Sequence, residues 1–250
     1  MEGLKNKVAI VTGASSGIGR STALAYAREG SKVVVSDVSV EGGEETVRLI
    51  RDNGGDAIFV KCDVAQDTDV QALVRQTVET YGRLDFACNN AGIGGESAPT
   101  ADYSVEAWNR VIGINLTGVF LCMKYQIPAM LRQGGGAIVN MASILGQVGF
   151  AGAPAYVASK HAILGLTKTA ALEYSSQNIR ITAVCPAFIH TPMIDTALTP
   201  EAQAQLIAAH PIGRLGQPEE VAELVVWLCS DGASFMTGNS ILVDGGYVAR

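Results

Sequence analysis

Short apolar, often β-branched runs alternate along the whole chain with longer stretches whose apolar positions recur every three to four residues. The short runs predict buried strands, and the longer period predicts amphipathic helices. Residues 8–11 form a first strand, then a glycine-rich turn leads into a helix over about 17–28 that Gly30 stops. Residues 33–35 give a second strand, and a helix carrying Val47 and Ile50 ends at Gly54 and Gly55. Residues 57–60 are a third strand. The next helix places Val70, Leu73, Val74, Val78 and Tyr81 on one face and stops at Gly82. Residues 84–88 follow as a strand, and a long helical region, interrupted by Gly113 and Gly118, spans about 105–131. A strand at 137–141, a helix at 155–174 and a strand at 181–185 come next. A helix opened by Pro218 and a last strand at 240–243 complete the series.

Strands that are apolar throughout, each followed by a helix, predict a seven-stranded parallel sheet covered on both faces: an α/β, doubly wound Rossmann fold. No linker, repeat or biased tract divides the chain, so residues 1–250 read as a single domain. Only about 187–218 lacks a clear period; following a strand C-terminus, it is expected to act as a substrate-binding lid.

With 18 basic and 24 acidic residues the net charge is −6, and no Lys/Arg run occurs. That excludes the concentrated basic patch a nucleic acid or an anionic membrane would need, and favours a small-molecule partner. No apolar run approaches the ~20 residues of a membrane span or a signal segment. Five cysteines without metal-ligand spacing read as reduced, buried thiols of a cytoplasmic protein, and no metal is expected.

The segment from Thr12 to Gly19 joins the first strand to the first helix with the spacing G-x-x-x-G-x-G. Gly13, Gly17 and Gly19 let backbone approach a pyrophosphate, and Ser15, Ser16 and Ile18 complete a loop whose helix end offers free N–H groups. Asp37, about 20 residues on at the end of the second strand, can accept hydrogen bonds from the adenosine ribose and repel a 2′-phosphate, although it could equally cap a turn. Ser15, Ser16, Val38 and Ser39 offer no cation for that phosphate, so NAD is favoured over NADP. Asp63 can reach the adenine amino group or form a turn, and Val64 follows it on the cofactor side.

Tyr156 and Lys160 stand four residues apart, on one helix face, with Ser143 upstream. A phenol of ordinary pKa about 10 needs a neighbouring ammonium to lose its proton near neutrality. Tyr156 then exchanges a proton with a carbonyl or alcohol oxygen, and Ser143 holds that oxygen. Such spacing alone arises on many helix surfaces; its weight comes from the glycine motif.

Together these motifs resemble the short-chain dehydrogenase/reductase family. The likeness runs through Thr12 to Gly19, Asn89-Asn90-Ala91-Gly92, Asn115, Ser143, Tyr156 to Lys160, and Val243-Asp244-Gly245-Gly246. It implies a proton relay in which Asn115 positions a water beside Lys160, while Lys160 also contacts the nicotinamide ribose. Asn90, Ala91 and Gly92 would border the cofactor, and Pro186, Ile189 and Thr191 would meet its nicotinamide end. It also implies a homotetramer in which the helices at 105–131 and 155–174 pack across an interface, close approach being permitted by Ala158, Ala162 and Gly165. One departure is Ala187, where the family usually carries glycine after proline; a positive φ there would cost alanine about 1 kcal/mol.

Gly94, Gly95, Glu96, Ile144, Leu145, Gln147, Phe150, Phe188, His190 and Met193 are the candidate substrate-facing positions. Their small and apolar character suggests a neutral, hydrophobic secondary alcohol or ketone. A 3-oxoacyl-carrier-protein reductase, a sugar dehydrogenase and a non-catalytic NAD-binding regulator are the rival readings.

Overall fold

The computed structural model describes residues 1–192, 194 and 199–249. Seven parallel strands lie in the order β3-β2-β1-β4-β5-β6-β7. They are β1 (Val8–Thr12), β2 (Lys32–Asp37), β3 (Ala57–Lys61), β4 (Phe86–Asn89), β5 (Gly136–Met141), β6 (Ile179–Pro186) and β7 (Ser240–Val243). The strand order reverses between β1 and β4, which pair as neighbours although two strands intervene in sequence. At such a switch point the outgoing chains diverge and leave a crevice beyond the strand C-termini.

Alternate strand residues serve opposite faces. Ile10 and Val34 pack with α3 (Asp67–Tyr81), α5 (Gly118–Arg132) and α6 (Pro154–Tyr174). Ala9, Val11, Val33 and Val35 pack with α1 (Gly17–Arg28), α2 (Val40–Asp52) and α8 (Pro218–Cys229). Burial on both faces is why these strands are apolar throughout; each Val or Ile so buried contributes about 1.5–3 kcal/mol.

The long helical region resolves into α4 (Val105–Ile112), a wider π-type turn at Gly113–Thr117, and α5. Gly118 is required at the join, because a Cβ there would lie 2.8 Å from Val64 Cγ2. The fourth strand begins two residues later than the pattern suggests. Asp85 leads into it buried, accepting from Val8 N–H at 3.0 Å and from Arg83.

The stretch without a clear period contains a helix, α7 (Pro200–Ala209). Ile189 bridges Gly216, tying the two ends of the segment together. Thr199, whose hydroxyl accepts from Ala202 N–H at 3.3 Å, followed by Pro200 and Glu201, was the available start signal. Crowded alanines hid it by blurring the apolar period. Among the described residues, no helix is long and apolar enough to cross a membrane. All five cysteines are free and buried.

Candidate active site

A cavity of about 610 Å³ runs along the strand C-termini. It is lined by Gly13, Ser15, Ser16, Gly17, Ile18, Gly19, Asp37, Asn90, Ala91, Gly92, Ser143, Tyr156, Lys160, Pro186, Ile189 and Thr191. Of the anticipated site residues, Asn115, Asp63 and Val64 are not on its wall. Asp63 instead forms a turn, accepting from Ala65 N–H at 3.0 Å, while Val64 is buried against Gly118. Asp63 thus makes the turn-forming bond that was one of its two expected roles, and the Val64 side chain packs against the start of α5.

The glycine loop owes its shape to two positive φ angles, +65° at Gly13 and +51° at Gly17. Asn90 braces it, its Nδ2 donating to Thr12 O at 2.9 Å and Gly13 O at 3.1 Å. The Ser16 side chain does not cap α1. The unpaired N–H groups and positive dipole end of the first turn thus face the cavity, a set of donors that fits a pyrophosphate. Asp37 Oδ2 accepts from Ser15 N–H at 3.0 Å and Oδ1 from Ser39 N–H at 2.9 Å. These bonds fix the carboxylate on the cavity wall beside the glycine loop and leave lone pairs for further donors. Arg20, not weighed from the sequence, stands behind the loop with its guanidinium held by Ser15 O, Gly42 O and Thr46 Oγ1.

At the other end α6 presents Tyr156 and Lys160 one turn apart. Lys160 is 4% exposed; its Nζ donates to Met141 O at 2.7 Å and lies 5.4 Å from the Tyr156 ring centroid. Burial lowers the Lys160 pKa to about 8. Burial also raises that of Tyr156, against a smaller lowering by its hydrogen bond with Ser143. The expected depression of the phenol by the ammonium is thus not what the protein alone displays. Desolvation dominates, and the Lys160 proton is directed at a carbonyl.

Asn115 sits in the π-type turn, fully buried, and clamps Ile93: Oδ1 accepts from Ile93 N–H and Nδ2 donates to Ile93 O, both at 2.9 Å. Nδ2 also reaches Ser159 Oγ on α6 at 3.4 Å. A buried polar ladder, unanticipated from sequence, joins the same elements. Asn89 and Gln126 exchange hydrogen bonds at 3.1 and 2.8 Å, Asn89 Nδ2 donates to Asn140 Oδ1 at 2.9 Å, and Asn140 Nδ2 donates to Thr167 Oγ1 at 3.0 Å. It links β4, β5, α5 and α6.

Ala187 has no positive φ, so its departure from glycine carries no backbone strain; its N–H donates to Val243 O at 3.0 Å. Gly94, Ile144, Leu145, Phe150 and Phe188 line the substrate end, joined by Ala153, Ile194, Ala202, Gln205 and Leu206. The α7 contributors escaped the sequence reading along with their helix. Gly95 packs instead toward Tyr103, the Glu96 carboxylate accepts from Ser104 N–H at 2.7 Å, and Gln147 Nε2 donates to Ser240 Oγ at 3.4 Å. His190 does not line the cavity, and Met193 lies outside the described residues.

A family model described as enoyl-(acyl carrier protein) reductase matches residues 13–248. Cyclohexanol dehydrogenase of Acinetobacter sp. (strain SE19) is 50% identical over 98% of this chain and 96% of its own. Cis-4-hydroxycyclohexanecarboxylate dehydrogenase of Sinomonas cyclohexanicum is 45% identical over 99% of both. The crystal structure of levodione reductase superposes with a TM-score of 0.96 at 36% identity, over 98% of this chain and 99% of that one.

Proposed function

The chain belongs to the short-chain dehydrogenase/reductase family, and on that premise we propose that it oxidises neutral alicyclic secondary alcohols with NAD, and reduces the corresponding ketones. It is an oxidoreductase that uses a nicotinamide cofactor and a small-molecule alcohol or ketone. One observation carries the substrate class. At the substrate end, beyond Ser143 and Tyr156, the wall is mainly Ile144, Leu145, Phe150, Phe188, Ile194 and Leu206, with Gln205 a polar but uncharged member, and the only charged side chains lining the cavity among the described residues are Asp37 and Lys160. Such a wall suits a saturated ring and desolvates an ion at a cost.

We assign Tyr156, Ser143, Lys160 and Asn115 to the chemistry. When bound, an oxidised nicotinamide would supply the hydride acceptor for the carbinol carbon. Tyr156, as phenolate, removes the alcohol proton while the carbinol carbon releases hydride and the C=O bond forms; reduction runs the same path backwards. Ser143 donates to the substrate oxygen and holds it as charge develops. Lys160 would hold the cofactor ribose and, through a water that Asn115 would position, pass the Tyr156 proton to solvent.

For the cofactor, the glycine loop would hold the pyrophosphate and Asp37 the ribose; Asn90, Ala91, Gly92, Pro186, Ile189 and Thr191 would flank the nicotinamide half. Asp37 beside the loop, with Arg20 tied to carbonyls behind it, favours NAD over NADP. We read residues 1–250 as one catalytic domain, with 187–218 covering the substrate. A homotetramer is supported by exposed Trp108 and Phe120 on α4 and α5 and by the open face at Gly165 on α6. Free buried thiols support a reducing, cytoplasmic setting.

The test follows NAD- and NADP-linked turnover of cyclohexanol, hexan-2-ol, a sugar and a 3-hydroxyacyl thioester, with each ketone in reverse. The expected outcome is NAD-linked turnover strongest for the ring alcohol. A 3-oxoacyl-(acyl-carrier-protein) reductase of Thermotoga maritima, 40% identical over 98% of this chain, makes an acyl-carrier-protein substrate the second reading. NADP-linked activity confined to the thioester would replace the first reading with it.

A further inference from the structure

Four rings gather at the substrate end of the cavity, and two of them belong to no residue yet given a role. The Phe188 centroid lies 6.0 Å from Phe150, 6.0 Å from His210 and 5.7 Å from Tyr247, and His210 lies 5.2 Å from Tyr247. Phe150 and Phe188 line the cavity; His210 and Tyr247 do not. They form the layer behind Phe188, one from the residue after α7 and the other from the chain's C-terminal tail.

Both are held in place. The Asp244 carboxylate accepts from Gly246 N–H at 3.0 Å and Val248 N–H at 2.9 Å, folding the tail into a tight turn. Ile212 N–H donates to Gly245 O at 3.1 Å and fastens that turn to the end of the 187–218 segment. His210 Nδ1 lies 2.6 Å from Leu206 O. A carbonyl only accepts, so Nδ1 carries the proton. The other nitrogen, Nε2, is buried and has no partner among the described residues. A ring 3% exposed, with one nitrogen unused and its edge against Phe188, is placed for its shape.

We propose that Tyr247 and His210 are positioning residues for substrate specificity: they hold Phe188 against the cavity and thereby make the C-terminal tail limit the size of the ring that can be oxidised. The inference rests on the alicyclic-alcohol reading above. Without the Tyr247 ring, Phe188 has space to turn away, and the cavity deepens on the side away from Asp37.

The experiment compares kcat/KM for cyclohexanol and for 4-tert-butylcyclohexanol in the wild type, Tyr247→Ala, Tyr247→Phe, His210→Phe and His210→Ala. Tyr247→Ala and His210→Ala should shift the ratio toward the bulkier alcohol by about tenfold, the scale of hydrophobic pocket discrimination. The change should fall on KM more than on kcat. Tyr247→Phe and His210→Phe retain the ring and should keep the wild-type ratio. An unchanged ratio in Tyr247→Ala overturns the inference, as does a His210→Phe variant that behaves like His210→Ala. If the wild type oxidises neither alcohol, the alicyclic reading falls, and amide hydrogen exchange decides the clamp on its own. The Gly216 N–H, which donates to Phe188 O at 3.0 Å, should then exchange about tenfold faster in Tyr247→Ala than in Tyr247→Phe. Equal rates overturn the clamp.

Discussion

Tyr156, Lys160 and Asp37 each have an environment that fixes a measurable outcome. Tyr156→Phe removes one oxygen and should abolish turnover while NADH binding, followed by fluorescence, survives; near-normal turnover would remove Tyr156 from the chemistry. Because burial raises the Tyr156 pKa, the phenolate needed for oxidation grows with pH. Alcohol oxidation should therefore rise between about pH 7 and 10, and ketone reduction should fall, in initial-rate profiles. Lys160 has a folded pKa of about 8 against an ordinary 10.5. Between these values the unfolded chain binds more protons, so stability climbs with pH, and below about 8 the buried ammonium costs about 3 kcal/mol. Lys160→Met should lose activity yet gain about 1 kcal/mol in urea unfolding at neutral pH, since losing the bond to Met141 O offsets much of the relief. Asp37→Ala should narrow the NAD-over-NADP preference in kcat/KM by about tenfold or more; no change would mean that Asp37 serves only its turn.

At the scale of elements, the buried Gln126–Asn89–Asn140–Thr167 ladder ties α5 and α6 to the sheet. Thr167→Val keeps the shape and removes the acceptor of Asn140 Nδ2, which leaves that donor only Met123 Sδ at 3.2 Å. We expect a loss of about 1–3 kcal/mol in thermal or urea unfolding; a neutral substitution would show that the ladder does not carry stability. These members were illegible beforehand because a polar residue in a strand or helix shows its partner only when the fold supplies one. The β-α alternation was legible because two-faced burial forces uniform apolar strands. Helix α7 was not, since its alanines satisfy no single face. A strand-end aspartate such as Asp63 reads the same in sequence whether it meets a ligand or its own turn.

Over the whole molecule, the exposed apolar side chains on α4, α5 and α6 are the surface a tetramer would cover. Light scattering should report a particle about four times the 26.1 kDa chain, and Gly165→Glu on the open face of α6 should dissociate it. An intact tetramer in that variant would move the interface elsewhere. The succession of strands, most of the helices between them, the glycine loop and the Tyr156–Lys160 pairing were determined by sequence alone, because each depends on residues within one helical turn or one strand-to-helix corner. Tertiary structure decided whatever depends on groups distant in sequence. It set the phenol's pKa, since desolvation comes from every packed neighbour at once. It aimed Lys160 at Met141, turned Asn115 onto Ile93, and brought the tail's Tyr247 beside Phe188, almost sixty residues away along the chain. Local spacing carries no information about such meetings, which exist only once the sheet has closed its crevice.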